Sequence, residues 1–178
     1  LIIAFILYIT FHSVKAVLVI FISIPVALMG GVYSLYFYDV NFSVAVAVGF
    51  IALFGVAVET GVLMIAYMND TIRKLVAEKG NGIQNISLSD LKEAILFGAT
   101  QRVRPLLMTV LANILGLIPV LLSTGTGSDV MKPIAIPFVF GLITSTLFVL
   151  IVLPVIFNLL KEWELEKHNE LIVFENKE

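Results

Sequence analysis

Apolar residues run through this chain in long blocks parted by short polar breaks. The blocks are residues 1–11, Ala16 to Tyr38, Val44 to Met68, Leu106 to Leu122 and Pro133 to Leu160. The last four are long enough to cross a bilayer as helices, for which about 20 residues suffice. The first starts at a leucine inside an apolar run, with no initiating methionine and no charged segment ahead of it. It reads as the end of a span that begins in a larger protein. The breaks are turns. His12 to Lys15 make the first, and His12, a lone histidine with no nearby partner, suits an interfacial position better than a metal site. Asp39 to Ser43 make the second, with Ser43 placed to cap the following helix, so the spans on either side are antiparallel neighbours. Thr124 to Lys132, TGTGSDVMK, make a Gly-rich third.

The pattern therefore predicts an all-α fold: a polytopic transmembrane helix bundle of one truncated span (1–11) and four full spans (16–38, 44–68, 105–122, 133–160). Between the third and fourth blocks, residues 69–104 are polar and carry Gly80-Asn81-Gly82. From a cap at Ser87 or Ser89, Leu91, Ala94, Ile95 and Gly98 share one side while Asp90, Lys92 and Glu93 lie away from it. That segment reads as an amphipathic helix on the membrane surface, or as an ordinary soluble connector. Pro105 is suited to a first helical turn and is taken as the start of the next span. Residues 161–178 form a tail of mixed charge, helical at first and loosely ordered at its end.

Charge orients these elements. Lys15, the six basic residues of the connector (Arg73, Lys74, Lys79, Lys92, Arg102, Arg104) and the three of the tail (Lys161, Lys167, Lys177) fall on one side, and only Lys132 falls on the other. By the positive-inside rule the connector and tail are cytoplasmic. At 60% hydrophobic and 13% charged residues, the chain is an integral membrane piece rather than a soluble domain. No basic tract interleaved with aromatics suggests nucleic acid, and the absence of cysteine excludes disulfides, thiolate metal sites and a cysteine nucleophile.

One residue breaks the apolar pattern at bilayer depth. Glu59 is the sole formal charge between Val44 and Met68. A carboxylate there costs on the order of 2.5–3.5 kcal/mol against lipid, so it should face other helices or a wet cavity. Ala45, Gly49, Ala52 and Gly55 precede it at helical spacing, so its face is expected to be the packed one, with Leu53, Phe54, Met64 and Ile65 looking outward. Glu59 then either carries protons or stays protonated and hydrogen-bonds a neighbour. Thr109 and Asn113, on one face with Gly116, are interhelical glue or a relay that hydrates Glu59. No P-loop accompanies the glycines of TGTGS, so a transporter of this kind would draw on an ion gradient. Paired aspartates, a serine with a base or a histidine cluster, which an intramembrane enzyme would need, are missing from the spans. A purely structural subunit has no use for an acid at that depth.

Three stretches in order, GFIALFGVAVETGVLM (49–64), GATQRVRPLLMT (98–109) and GTGSDVM (125–131), resemble the C-terminal membrane helices of resistance-nodulation-cell division transporters, in their heavy-metal efflux branch. The likeness covers roughly residues 13–160. It implies a homotrimeric, proton-driven exporter of the bacterial inner membrane that works with a periplasmic adaptor and an outer-membrane channel, takes metal cations as substrate and needs no cofactor. It also implies that Glu59 matches a glutamate of a proton relay in copper/silver pumps, and that Met131 matches a methionine of a soft-metal relay. A thioether suits a soft monovalent cation better than Zn²⁺ or Co²⁺, although packing at a helix mouth would also account for it. Where copper/silver pumps can carry a lysine after RVRP, this chain has Leu106, as divalent-cation pumps do. The resemblance thus leaves Cu(I)/Ag(I) export, divalent-cation export and a part in a drug-exporting relative as alternatives, in that order.

Overall fold

In a computed structural model the chain is a bundle of five helices, described over residues 2–11, 13–79 and 88–175. They are α1 (Ile2–Phe11), α2 (Val14–Phe37), α3 (Val44–Lys79), α4 (Leu88–Leu122) and α5 (Ser128–Glu175), with no strand among the described residues. Four of them, α2 to α5, are long and apolar enough to cross a membrane. The expected turn at Gly80 to Gly82, the cap at Ser87, His12 and the last three residues lie outside the described residues.

Local chemistry sets the helix ends. Ser13 caps α2 by accepting a hydrogen bond from the Ala16 N–H at 3.4 Å, and Ser43 accepts from the Val46 N–H at 3.4 Å to start α3 as expected. Asp39 turns the chain between them at φ 50°, a conformation that Asp tolerates. Gly127, at φ 93°, makes the corresponding turn before α5, and its carbonyl accepts from the Met131 N–H at 3.2 Å.

Two expected boundaries fall elsewhere. α4 does not begin at Pro105 but passes straight through it, so the surface segment and the fourth span are one helix. The reason is a single buried stripe: Leu91, Ala94, Ile95, Ala99, Leu106 and Val110 are all buried at helical spacing on both sides of the proline. The packing of that stripe offsets the hydrogen bond a proline removes. α5 likewise begins at Ser128 and runs on through Lys161 to Glu175 instead of ending near Leu160.

The core lies where α2, α3 and α4 meet α5. Ile20, Leu53, Met64, Met68, Leu142 and Leu153 are fully buried there. Glycines let backbones come together, since lipid gives helices no hydrophobic reason to associate and close packing must do it. A Cβ on Gly31 would lie 2.5 Å from the Phe50 ring and 3.2 Å from the Pro137 carbonyl oxygen, and one on Gly141 2.9 Å from the Ala27 carbonyl oxygen. Buried hydroxyls other than that of Ser145 are turned back on their own helices: Ser23 donates to the Ile20 carbonyl at 2.6 Å and Thr146 to that of Leu142 at 2.6 Å.

Exposed aromatics mark both ends. Tyr33, Tyr36, Tyr38 and Phe42 ring the end where α2 meets α3, and Tyr67 and Trp163 sit at the other. Lys132 and Trp163, 31 residues apart on α5, are separated by about 46 Å, close to the roughly 40–45 Å of a bilayer with its headgroups. The end with Tyr67 and Trp163 is the basic one, where Lys92 of α4 meets Glu162 of α5 at 2.7 Å.

Candidate functional site, a seam between two helices

Glu59 stands 15 residues after Val44 and 11 before Asp70, so it is about 22 Å and about 16 Å from those points along α3. It belongs to the apolar interior of the span. Its orientation differs from the expectation. Glu59, Gly55 and Ala52 are exposed on the outside of the bundle, and a Cβ on Gly55 would meet no atom within 4 Å. Leu53, Met64 and Ile65, expected to look outward, are fully buried, and Phe54 is half-buried. Of the small residues on the Glu59 face only Gly49 is buried, against the Ile134 carbonyl and Pro137 of α5. Within this bundle the bulky face of α3 is the packed one, because it fills the core with contact area, and other glycines bring the helices together.

Thr109 is exposed and Asn113 half-buried on α4. The Thr109 hydroxyl donates to the Pro105 carbonyl at 3.0 Å, and among the described residues no hydrogen bond joins Glu59, Thr109 and Asn113. Register nonetheless brings them to one level. Gly98 of α4 lies against α3, where a Cβ would be 3.1 Å from Met68 Cα and 3.1 Å from the Tyr67 carbonyl oxygen. Glu59 is nine residues before Met68 and Leu107 nine after Gly98, so in this antiparallel pair Glu59 and Thr109 are within about a turn of the same depth. Thr109 and Gly116 follow Gly98 by 11 and 18 residues, close to whole numbers of turns, and so point to the same side of α4 as Gly98 does.

The two helices therefore border a seam that is shut at the basic end and open at the other. At the basic end Gly98 touches the α3 backbone, and the Arg102 guanidinium lies 5.2 Å from the centre of the Tyr67 ring. Toward the other end a Cβ on Gly116 would meet nothing within 4 Å. There an apolar cavity of about 340 Å³ opens between α3, α4 and α5, lined by Ala52, Leu117, Val120, Met131 and Phe138 among others. Met131, expected in the turn, is in the first turn of α5 and 58% exposed. Leu106 is buried in the core, so a cation at that position would need a buried partner, and leucine fills the space instead.

Among the described residues no group of three or more His, Asp or Glu side chains is placed to hold a metal ion. The sequence reading also passed over a cleft at the basic end, where Thr10, Asn69, Arg73 and Lys161 come together from α1, α3 and α5. The only sign of it in the sequence is that basic residues recur just beyond the apolar blocks.

Known proteins share this framework. The model of the AcrB/AcrD/AcrF family matches residues 1–161. The chain is 42% identical over 160 residues to the cation efflux system protein CusA of Escherichia coli (strain K12), covering 90% of this chain and 15% of that protein. It is 40% identical over 172 residues to the putative cation efflux system protein SilA of Salmonella typhimurium, covering 97% and 16%. It is 39% identical over 153 residues to the cobalt-zinc-cadmium resistance protein CzcA of Cupriavidus metallidurans (strain ATCC 43123 / DSM 2839 / NBRC 102507 / CH34), covering 86% and 13%. The crystal structure of a heavy metal efflux pump superposes with a TM-score of 0.74 at 35% identity, over 90% of this chain and 15% of that one. The chain thus spans about one-seventh of the length of these relatives.

Proposed function

Because this chain belongs to the AcrB/AcrD/AcrF family, and within it to the heavy-metal efflux transporters of the resistance-nodulation-cell division type, we propose that it serves proton-driven export of metal cations across the bacterial inner membrane, with Cu(I) and Ag(I) the favoured cargo. The protein is a multi-pass membrane transporter and not an enzyme. The observation that carries the proposal is Glu59, an acid deep in α3 beside a seam that opens toward the less basic end.

In this mechanism Glu59 takes a proton from the outward side through the open end of the seam and releases it inward when the seam changes shape. Thr109 and Asn113 order the water that hands the proton on. An ionised carboxylate against acyl chains costs about 2.5–3.5 kcal/mol, so the Glu59 face is covered by water or by protein other than these helices. Met131, at the mouth of the outward cavity, offers a thioether to a soft cation, but a single thioether is a waypoint and not a closed site. The working assembly is a homotrimer with a periplasmic adaptor and an outer-membrane channel.

A second reading, export of divalent cations, is favoured by Leu106 and by the similarity to CzcA, which is nearly as high as that to CusA. Both are tested by a metal-tolerance panel in cells lacking the protein and complemented with wild type, Glu59→Gln or Met131→Leu. Wild type is expected to restore copper and silver tolerance, Glu59→Gln to restore none at equal expression, and Met131→Leu to restore less. Restoration of zinc or cobalt tolerance alone gives the second reading, and full restoration by Glu59→Gln removes that residue from the mechanism.

A further inference from the structure

At the basic end, α1, α3 and α5 enclose a cleft of about 500 Å³. Its lining is of two kinds. Phe11, Ile72 and Val76 are apolar, whereas Asn69, Arg73 and Lys161 are polar or cationic. Arg73 and Asn69 have no hydrogen-bond or ion-pair partner among the described residues. The one carboxylate on the rim, Asp70, is already held by Lys74 at 2.7 Å, a contact that raises the Lys74 pKa through the hydrogen bond and the charge of Asp70. Its negative charge is therefore largely compensated.

A smaller hollow adjoins the cleft and shares Phe11, Asn69 and Lys161 with it. It adds Lys15 and Ser13, at the start of α2, where the first turn presents the positive pole of the helix. Cations from α2, α3 and α5 thus converge on one opening. Tyr67 and Trp163 are exposed at the same end, which places the opening at headgroup level.

We infer that this cleft binds the headgroup of an anionic phospholipid from the leaflet on the basic side, with its phosphate on Arg73, Lys161 and Lys15 and an acyl chain against Phe11, Ile72 and Val76. The apolar wall decides for a lipid over a soluble phosphate, which would leave those side chains unused. Basic pockets between membrane helices on the cytoplasmic side are where such headgroups bind. The site is separate from the Glu59 seam and does not depend on the function proposed for it.

The test is a lipid titration of the protein, purified at full length in detergent and read by native mass spectrometry. Phosphatidylglycerol and phosphatidylcholine of the same acyl composition are the probes. Wild type is expected to bind phosphatidylglycerol about tenfold more tightly, and Arg73→Gln and Lys161→Gln to weaken that binding by about fivefold each, the loss typical of one basic contact. Binding of phosphatidylcholine should not change, Arg73→Lys should restore the preference, and Lys132→Gln at the opposite end should leave it intact. Wild type that does not distinguish the two lipids overturns the proposal, as does an unchanged phosphatidylglycerol affinity in the Arg73→Gln/Lys161→Gln protein. Displacement of the lipid by excess inorganic phosphate overturns it in favour of a soluble-anion site.

Discussion

Gly30→Ala should destabilise the bundle while Gly61→Ala, the same change one helix away, should not. Gly30 of α2 faces α5, and an added Cβ would collide with the Thr144 hydroxyl and stand 2.8 Å from Thr144 Cβ and 3.0 Å from the Phe140 carbonyl oxygen. Turning the threonine cannot relieve this. Its Cβ is fixed to the backbone, and its hydroxyl already donates to the Phe140 and Gly141 carbonyls at 2.8 and 3.2 Å. The helices must part by several tenths of an ångström, which loosens the neighbouring contacts of Gly31 and Gly141 as well. Overpacking of this kind costs about 1–3 kcal/mol, against a gain of at most about 1 kcal/mol in helix propensity. At Gly61 the nearest atoms to a new Cβ are Ile20 Cγ2 at 3.5 Å and Ser23 Oγ at 3.8 Å, ordinary contacts, so only the gain remains. The two variants should therefore differ by about 2 kcal/mol, a difference of roughly thirtyfold in the folded-to-unfolded ratio. Unfolding in detergent, followed by loss of helical circular dichroism, reads the difference directly. Thr144→Ala added to Gly30→Ala should recover part of the loss, with a coupling above about 0.5 kcal/mol. A Gly30→Ala protein as stable as Gly61→Ala would refute the close approach of α2 and α5.

Three further changes test the seam and the basic end. Tyr67→Leu removes the ring under Arg102 and should cost about 0.5–1 kcal/mol in the same unfolding assay, whereas Tyr67→Phe keeps the ring and should cost much less. Lys92→Ala breaks the pair with Glu162, whose side chains are 52% and 19% exposed, so its effect should stay below about 1 kcal/mol and shrink in high salt. Gly116→Leu fills space that the five helices leave empty. It should leave expression and helix content at wild-type levels and lower metal tolerance, and unimpaired tolerance would mean that the open end of the seam has no part in transport.

How far the fold was legible follows from which forces act locally. The apolar blocks, the cap at Ser43 and the Gly-rich turn that contains Gly127 are short-range chemistry, and each of the four long apolar blocks lies, to within a residue, in one of the helices α2 to α5. Helix ends were harder. Pro105 has the chemistry of a helix start, and only the buried stripe continuing across it from Leu91 to Val110 keeps α4 whole. Orientation failed for a different reason. Ala45, Gly49, Ala52 and Gly55 identify a face that some helix could approach closely, but the sequence of α3 does not say which partner takes it. Here the partners α2 and α5 take the face of Leu53, Ala57 and Met64. The candidate residues were findable singly, by charge at depth and by spacing. Their common level could not be seen without the Gly98 contact that sets the register of α3 against α4.

In the proposed mechanism the two faces of α3 have separate parts, one holding the bundle and one able to move. One face is locked, since glycine contacts to α5 leave no slack and any shift there would open voids in a close-packed core. The other carries Glu59, Gly55 and Ala52 on the outside of the bundle, at about the depth of Thr109 on α4, and a Cβ on Gly55 or Gly116 would meet no atom within 4 Å. Gly98 demonstrates, on the same pair of helices, how near α3 and α4 come when small residues meet. In the proposed mechanism the seam closes farther along as α4 swings about this contact and repacks its buried stripe against α5. Such a swing strips water from Glu59, and excluding water costs a carboxylate far more than the neutral acid. In the proposed mechanism the approach of the two helices and the uptake of a proton therefore favour each other, and the equilibrium moves only as far as that difference in cost allows. An acid on the locked face would bear a fixed environment whatever the helices did, so in the proposed mechanism it is the exposed position of Glu59 that would let it couple protonation to movement.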